Sequence, residues 1–206
     1  MKALEILRFL QEEIHTTVVA TLDDEGLPVT CTIDMMDYDE NGLYFLTAKG
    51  KNFYERLKKC GTLALTGNKG ADTMHCVSVS LRGKVREIGS GRLPLLLAKN
   101  EYMEEIYPTK ISQSALTVFQ IYEASGEWFD LSKRPIERYS FMIGNGIQKS
   151  IGYFVTEQCI GCGRCLAACP QNCINLRDGK AVICQKNCLH CGNCFRDCPV
   201  QAIEKR

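Results

Sequence analysis

Two cysteine runs constrain this chain more than any other feature of its sequence. Cys159, Cys162, Cys165 and Cys169 are followed by Pro170, and Cys188, Cys191, Cys194 and Cys198 are followed by Pro199. Each run reads C-x2-C-x2-C-x3-C-P, the spacing of a bacterial [4Fe–4S] ligand run. Corresponding cysteines stand 29 positions apart, and Gly163/Gly192 and Ile174/Ile203 repeat at the same interval. The segment is an internal duplication.

The duplicated segment resembles a two-cluster bacterial-type ferredoxin. Three thiols two residues apart can wrap one cluster, and Gly161, Gly163 and Gly192 leave room for backbone beside inorganic sulfide. The fourth cysteine of such a run ligates the other cluster. One [4Fe–4S] cluster is thus assigned to Cys159, Cys162, Cys165 and Cys198. The second is assigned to Cys188, Cys191, Cys194 and Cys169. Zinc is the competing reading, but structural zinc takes separated C-x2-C pairs and not a close triplet with a distant C-P. Cys173 and Cys184 correspond to Ala202 and Val155 of the opposite repeat, which favours core packing over a ligand or redox role.

The chain as a whole has the composition of a soluble globular protein, 45% hydrophobic and 24% charged. A formal net charge of +1 leaves no electrostatic footprint for nucleic acid. Each cluster with its four thiolates would add about −2. Thirteen cysteines would suggest disulfides in a secreted chain. Eight of them are claimed by clusters, Glu5 and Arg8 interrupt any export signal, and no run is long enough to span a membrane. The expectation is a cytoplasmic protein of an anaerobe with no membrane partner.

Ahead of the cysteines the period of the hydrophobic pattern changes repeatedly. Residues 3–14 place Leu4, Leu7, Leu10 and Ile14 at helical spacing. Strands are expected at Thr16–Thr21, Pro28–Asp34, Leu43–Thr47, Thr62–Thr66, Cys76–Ile88, Leu116–Tyr122 and Trp128–Leu131, with helices at about 51–59 and 95–107. The fold class is therefore α+β: a small β-barrel over 1–131, a connector at 132–152 rich in basic residues and glycine, and a ferredoxin-like domain at 153–206. The basic residues Lys133, Arg134 and Arg138 read as solvated.

The segment VATLDDEGLPVTCTIDMMDYDENGLYFLTAKGKNFYERLKK resembles the pyridoxamine-5′-phosphate-oxidase-like split-barrel family of FMN-binding proteins. The resemblance implies an FMN-binding split barrel and a homodimer with flavin at the subunit interface. Thr47 and Lys51 match the family's T-x-x-x-K phosphate pattern, and Lys49 and Asn52 stand beside them at a helix start suited to phosphate. Thr30, Cys31 and Thr32 fall on the strand that lies along the flavin in this family. Many relatives carry an arginine near Cys31, and Lys49 is the candidate to compensate. Trp128 and Phe129 offer a cover for the isoalloxazine ring from the partner subunit, or barrel and dimer packing. His75 is a candidate proton donor or a structural histidine. His190, which replaces Gly161 of the twin loop, either tunes its cluster or faces water.

No strand-linked G-x-G-x-x-G and no Walker A run is present. Two functions compete. The first is an FMN-dependent reductase of an unidentified small molecule, supplied with electrons through its own clusters by a low-potential donor such as a ferredoxin. The alternative is an electron-transfer protein that shuttles between protein partners and has no substrate of its own. A redox or flavin sensor ranks third, since no output domain is visible.

Overall fold

In the computed structural model, which describes residues 2–147 and 151–206, the β-branched run after His15 becomes β1 (Thr16–Leu22). Thr17, Val19 and Thr21 are buried, while Thr16, Val18 and Leu22 face outward, the period of two a half-buried strand requires. A turn follows, in which Asp23 Oδ1 accepts from the Glu25 and Leu27 N–H groups. The chain then returns antiparallel as β2 (Pro28–Asp39). A hairpin leads to β3 (Gly42–Ala48). Gly42 has φ of 142°, and a Cβ there would sit 2.0 Å from the Ile121 carbonyl oxygen, so only glycine lets the two backbones approach.

Four further strands complete the sheet: β4 (Thr62–Gly70), β5 (Cys76–Gly89), β6 (Leu116–Asp130) and β7 (Glu137–Ile143). Their order is β3-β2-β1-β4-β5-β6-β7, and β3 also pairs with β6 from Leu43↔Ile121 to Ala48↔Leu116. The first six strands therefore close into a barrel. Its interior is aromatic at one end, where Phe45 stacks on Phe119 at 5.7 Å and meets Phe53 at 6.1 Å. Phe53 belongs to α2 (Asn52–Cys60), which buries Phe53 and Leu57 and ends at Gly61 in the left-handed region.

Helical segments flank the barrel, and three stretches differ from the sequence expectation. The first helix is α-helical only over α1 (Ala3–Arg8); Phe9–Ile14 is a π-helix that ends at His15 with φ of 61°. The helix expected over 95–107 is broken into α3 (Leu93–Lys99) and α4 (Met103–Ile106). Asn100 is the cause: its buried Nδ2 donates to the carbonyls of Leu96 (2.7 Å) and Met36 (3.0 Å), side-chain bonds that compete with helix continuation. A short α5 (Lys110–Gln113) follows. The two closing strands expected at 116–122 and 128–131 form one strand, β6.

The expected connector also contains β7. Phe141 and Ile143 are buried while Ser140 and Met142 are exposed, a strand alternation that Pro135 and the neighbouring glycines obscure in the sequence. Residues 148–150 of that connector lie outside the described residues.

The C-terminal segment shows the duplication in three dimensions. β8 (Tyr153–Val155) pairs with β11 (Ile203–Lys205), and β9 (Ile174–Arg177) pairs with β10 (Lys180–Ile183). Two four-residue helices, α6 (Arg164–Ala167) and α7 (Asn193–Arg196), stand 29 positions apart. Each follows a glycine in the left-handed region, Gly163 at 76° and Gly192 at 79°. The chain separates into two compact units: Met1–Ala71, Val77–Trp128 and Ser140–Gln148 form one; Asp72–Cys76, Phe129–Tyr139 and Lys149–Arg206 form the other. Among the described residues no helix is long and apolar enough to cross a membrane.

Candidate metal centres and flavin site

The crossed cysteine assignment has a direct geometric counterpart. Cys159, Cys162, Cys165 and Cys198 line one cavity, together with Pro199 and Ala202. Cys169, Cys188, Cys191 and Cys194 line a second, together with Pro170 and Cys173. In each, three cysteines come from one loop and its short helix, and the fourth from the other repeat. No three His, Cys, Asp or Glu side chains among the described residues converge as they would on a single ion. Thiols spread around a cavity suit the corners of a four-iron core rather than a zinc tetrahedron.

Backbone donors point at the sulfurs as well. Ala181 N–H donates to Cys159 Sγ (3.4 Å) and Ala202 N–H to Cys198 Sγ (3.2 Å). In the other quartet, His190 N–H donates to Cys188 Sγ (3.4 Å) and Cys173 N–H to Cys169 Sγ (3.4 Å). Burial pushes the Cys194 thiol up to about 11, with the Cys188 sulfur adding to it. Such thiols are costly to ionise in place, so cationic iron is what makes them thiolates, and assembly releases protons.

Cys184 is exposed and its Sγ donates to Asn187 Oδ1 (3.1 Å), outside both quartets. Cys173 is buried, and its sulfur lies 3.5 Å from that of Cys169. Burial, followed by that contact, holds its thiol well above the ordinary cysteine range.

The candidate flavin residues gather at the start of α2 and along β2. Thr47 lies next to the end of β3 and is 4% exposed, and its Oγ1 is buried without a hydrogen-bond partner. An orphaned hydroxyl of this kind is costly unless a ligand completes it. Lys51 is the N-cap of α2 in extended conformation, and no side chain caps the helix, which leaves its N-terminal N–H groups for an anion. Lys49, Lys51 and Asn52 are all exposed at this end. These residues fit a phosphate.

The sequence reading missed a third cation. Burial pushes the Cys31 thiol up, and the charges of Arg56 and then Lys51 pull against it, which places both cations near Cys31. Arg56 is held by its Nε bond to Thr21 Oγ1 (2.8 Å) and lies 6.0 Å from the Phe53 ring centre. A basic side chain therefore reaches Cys31 from α2, one helical turn beyond Asn52. Only the α2 face pattern of Asn52, Arg56 and Lys59 could have hinted at it.

Thr30 and Thr32 face outward on β2, paired with Ala20 and Val18 of β1. Thr32 also lines an open cavity of about 300 Å³, with Thr16, Asp34, Met36, Leu46, Tyr102 and Met103. A hydrogen-bonded group borders it. Tyr102 Oη donates to Asp34 Oδ2 (2.7 Å), Thr16 Oγ1 donates to Asp34 Oδ1 (2.7 Å), and His15 Nε2 lies 3.0 Å from Tyr102 Oη. Burial, then the Asp34 bond, keeps the Tyr102 hydroxyl protonated far above the usual tyrosine range. His15 reaches this position through its left-handed backbone at the end of the π-helix, a conformation that costs energy for a residue with a Cβ. The arrangement can hold a proton at Tyr102 Oη and replace it through His15. No local motif marks it, because the three residues are joined only by the barrel.

Other expectations resolve differently. Trp128 is 6% exposed, packs edge-on against Phe9 at 4.7 Å, and buries an Nε1–H without a partner. Within this chain it packs into the barrel. His75 is exposed and pairs with Asp72, which caps a short 3-10 turn there. Arg138 was expected in solvent; it is half-buried, 4.7 Å over the Phe129 ring, and its Nη1 donates to His190 Nδ1 (2.8 Å). His190 occupies the left-handed region at 56°, like Gly161 at 65° in the twin loop, where a Cβ would meet the Gly179 oxygen at 2.1 Å.

Residues 158–202 match the family model of the 4Fe-4S dicluster domain. This segment is a 4Fe-4S dicluster domain. A domain of this kind, with two clusters, suggests electron transfer. The barrel is similar to solved structures that show its split-barrel fold. One is a NimC/NimA family protein from Clostridium acetobutylicum, 16% identical with a TM-score of 0.55, covering 68% of this chain and 90% of that one. Another, from the same organism, is related to general stress protein 26 of B. subtilis, of the pyridoxinephosphate oxidase family. It is 20% identical with a TM-score of 0.52, covering 68% of this chain and 94% of that one. A heme binding protein from Mycobacterium smegmatis is 14% identical with a TM-score of 0.52; the match covers 68% of this chain and 57% of that one. No curated protein matches the chain.

Proposed function

We propose that this chain is an iron–sulfur flavoprotein oxidoreductase that takes electrons from a low-potential donor, such as a ferredoxin, through its two clusters to FMN, and reduces a small molecule. The observation that carries the FMN half is the buried, unpartnered Thr47 Oγ1 beside the uncapped start of α2. Thr47, Lys49, Lys51 and Asn52 would hold the phosphate, with Arg56 adding charge, and Thr30, Cys31 and Thr32 would border the ring. FMN supplies the conversion between single electrons and a hydride pair, which matches two one-electron clusters. The about 300 Å³ cavity at Thr32 favours a reductase over a shuttle without substrate, since it falls within the size range of small-molecule sites. Tyr102 would hand a proton to the molecule bound there.

A second copy of the chain fits the outer face of β1, β2 and β4. Val18 with Thr32 and Thr66, and Ala20 with Thr30 and Ala64, form two cross-strand rungs without a charged side chain. Val18 is 43% exposed. An uncharged sheet face of this kind suits a subunit interface.

Lys51→Ala tests the site. FMN affinity should fall about tenfold or more, as for loss of a charge-assisted phosphate contact, with riboflavin affinity unchanged. The unaltered chain should sediment as a dimer, and Val18→Glu as a monomer. Equal losses for FMN and riboflavin would remove Lys51 from the phosphate. A wild-type monomer with full FMN affinity would exclude an interface site.

A further inference from the structure

The two cavities are built by the two halves of one repeat, and a buried thiol beside the ligands is one place where they differ. Cys173 lines the cavity of Cys169, Cys188, Cys191 and Cys194, whereas its counterpart in the other cavity is Ala202. The backbone at the two positions does the same thing: Cys173 N–H donates to Cys169 Sγ and Ala202 N–H donates to Cys198 Sγ. Further backbone donors reach each quartet, Ala181 to Cys159 and His190 to Cys188 among them. At the two repeat-related positions the backbone donors are therefore alike. The Cys173 side chain adds what Ala202 cannot, a sulfur 3.5 Å from Cys169 Sγ that also lies against Cys188. When Cys169 and Cys188 ligate iron they are acceptors, and the only proton available to that contact is the one on Cys173.

We infer that Cys173 is a potential-tuning residue: its S–H donates to the ligand sulfurs of one cluster only, raises that cluster's reduction potential above its twin's, and makes it the first to hold an electron. Hydrogen bonds to cluster sulfurs stabilise the more negative, reduced state. The inference rests on the dicluster domain and not on the flavin. It also gives the duplicated domain a direction, since two identical clusters would share an electron equally, whereas these two would not. Cys173 is not a ligand in this account, because each quartet is complete without it.

The test is an EPR-monitored redox titration of the anaerobically purified full chain, with iron counted in every sample. Cys173→Ala should retain about eight iron atoms. It should lower the higher-potential step about tenfold in its reduced-to-oxidised ratio at fixed potential, about 59 mV for one electron. Cys173→Val should behave like Cys173→Ala, while Cys173→Ser, which keeps a donor, should recover much of the shift. A structural role would give the reverse order, with valine rescuing volume and serine failing. The mirror variant Ala202→Cys should raise the lower step. Unchanged potentials in Cys173→Ala would overturn the inference, and so would loss of one cluster's iron, which would make Cys173 a ligand.

Discussion

Removing iron under anaerobic conditions is expected to unfold the dicluster domain completely while the barrel stays folded. The domain's buried core consists of Tyr153, Cys165, Cys173, Ile174, Ala181, Ile183, Cys188, Cys194 and Ile203. Four of these nine are cysteines facing the cluster cavities, so without iron almost half the core surrounds unfilled space. The helices are four residues long and the strands three or four, all below the length that persists without tertiary support. Cluster binding energy is then folding energy, as in other small metal-dependent domains. Hydrogen exchange of the full chain checks this. After chelation the amides of 153–206 should exchange freely, while β1–β6 keep their protection. Retained protection of β8–β11 in iron-free protein would show that the domain folds on its aliphatic residues alone.

The second large effect is expected at Tyr102. Its hydroxyl borders the cavity beside Thr32, donates to Asp34 and is backed by His15 at 3.0 Å. A positioned general acid contributes about 10²–10⁴ to a rate. Tyr102→Phe should therefore lower kcat for the reduced small molecule about a hundredfold, with KM, FMN content and iron content unchanged. His15→Gln should cost less, because solvent can reprotonate Tyr102 in its place. In that reading the molecule would take a hydride and the Tyr102 proton, and the tyrosine would regain a proton through His15 or water. A Tyr102→Phe enzyme with full kcat would make the His15–Tyr102–Asp34 group a strut that ties the π-helix end to β2 and α4.

What was legible in the sequence follows from how local each signal is. The cysteine repeat carried the dicluster domain, because ligand spacing is a property of a single loop, whereas the crossing of the fourth cysteines rested on the resemblance to two-cluster ferredoxins. Six barrel strands were visible as β-branched or apolar runs of five or more residues between turn signals. Less legible was whatever depends on long-range contact. Asn100 breaks a helix by reaching Met36, 64 positions away in sequence. Gly42 matters only because Ile121 passes against it. Arg56 was invisible as a candidate for the phosphate because Cys31 comes near it only once the barrel has closed. Trp128 was ambiguous for the same reason, since nothing near it in sequence announces Phe9. His15 and Tyr102 are 87 positions apart, and their meeting required both the π-helix and the break after α3.

Rapid mixing tests the central claim most directly. The FMN-loaded full chain, oxidised and anaerobic, is mixed with a reduced low-potential ferredoxin while cluster and flavin absorbance are followed separately. Cluster bleaching should come first and flavin bleaching second, at a rate set by the clusters. Cys165→Ser, which removes one ligand of the Cys159, Cys162, Cys165 and Cys198 quartet, should abolish donor-driven flavin reduction and leave turnover with chemically reduced FMN intact. Flavin bleaching at an undiminished rate in Cys165→Ser, or ahead of the clusters in the unaltered chain, would contradict the route and leave the dicluster domain serving another partner.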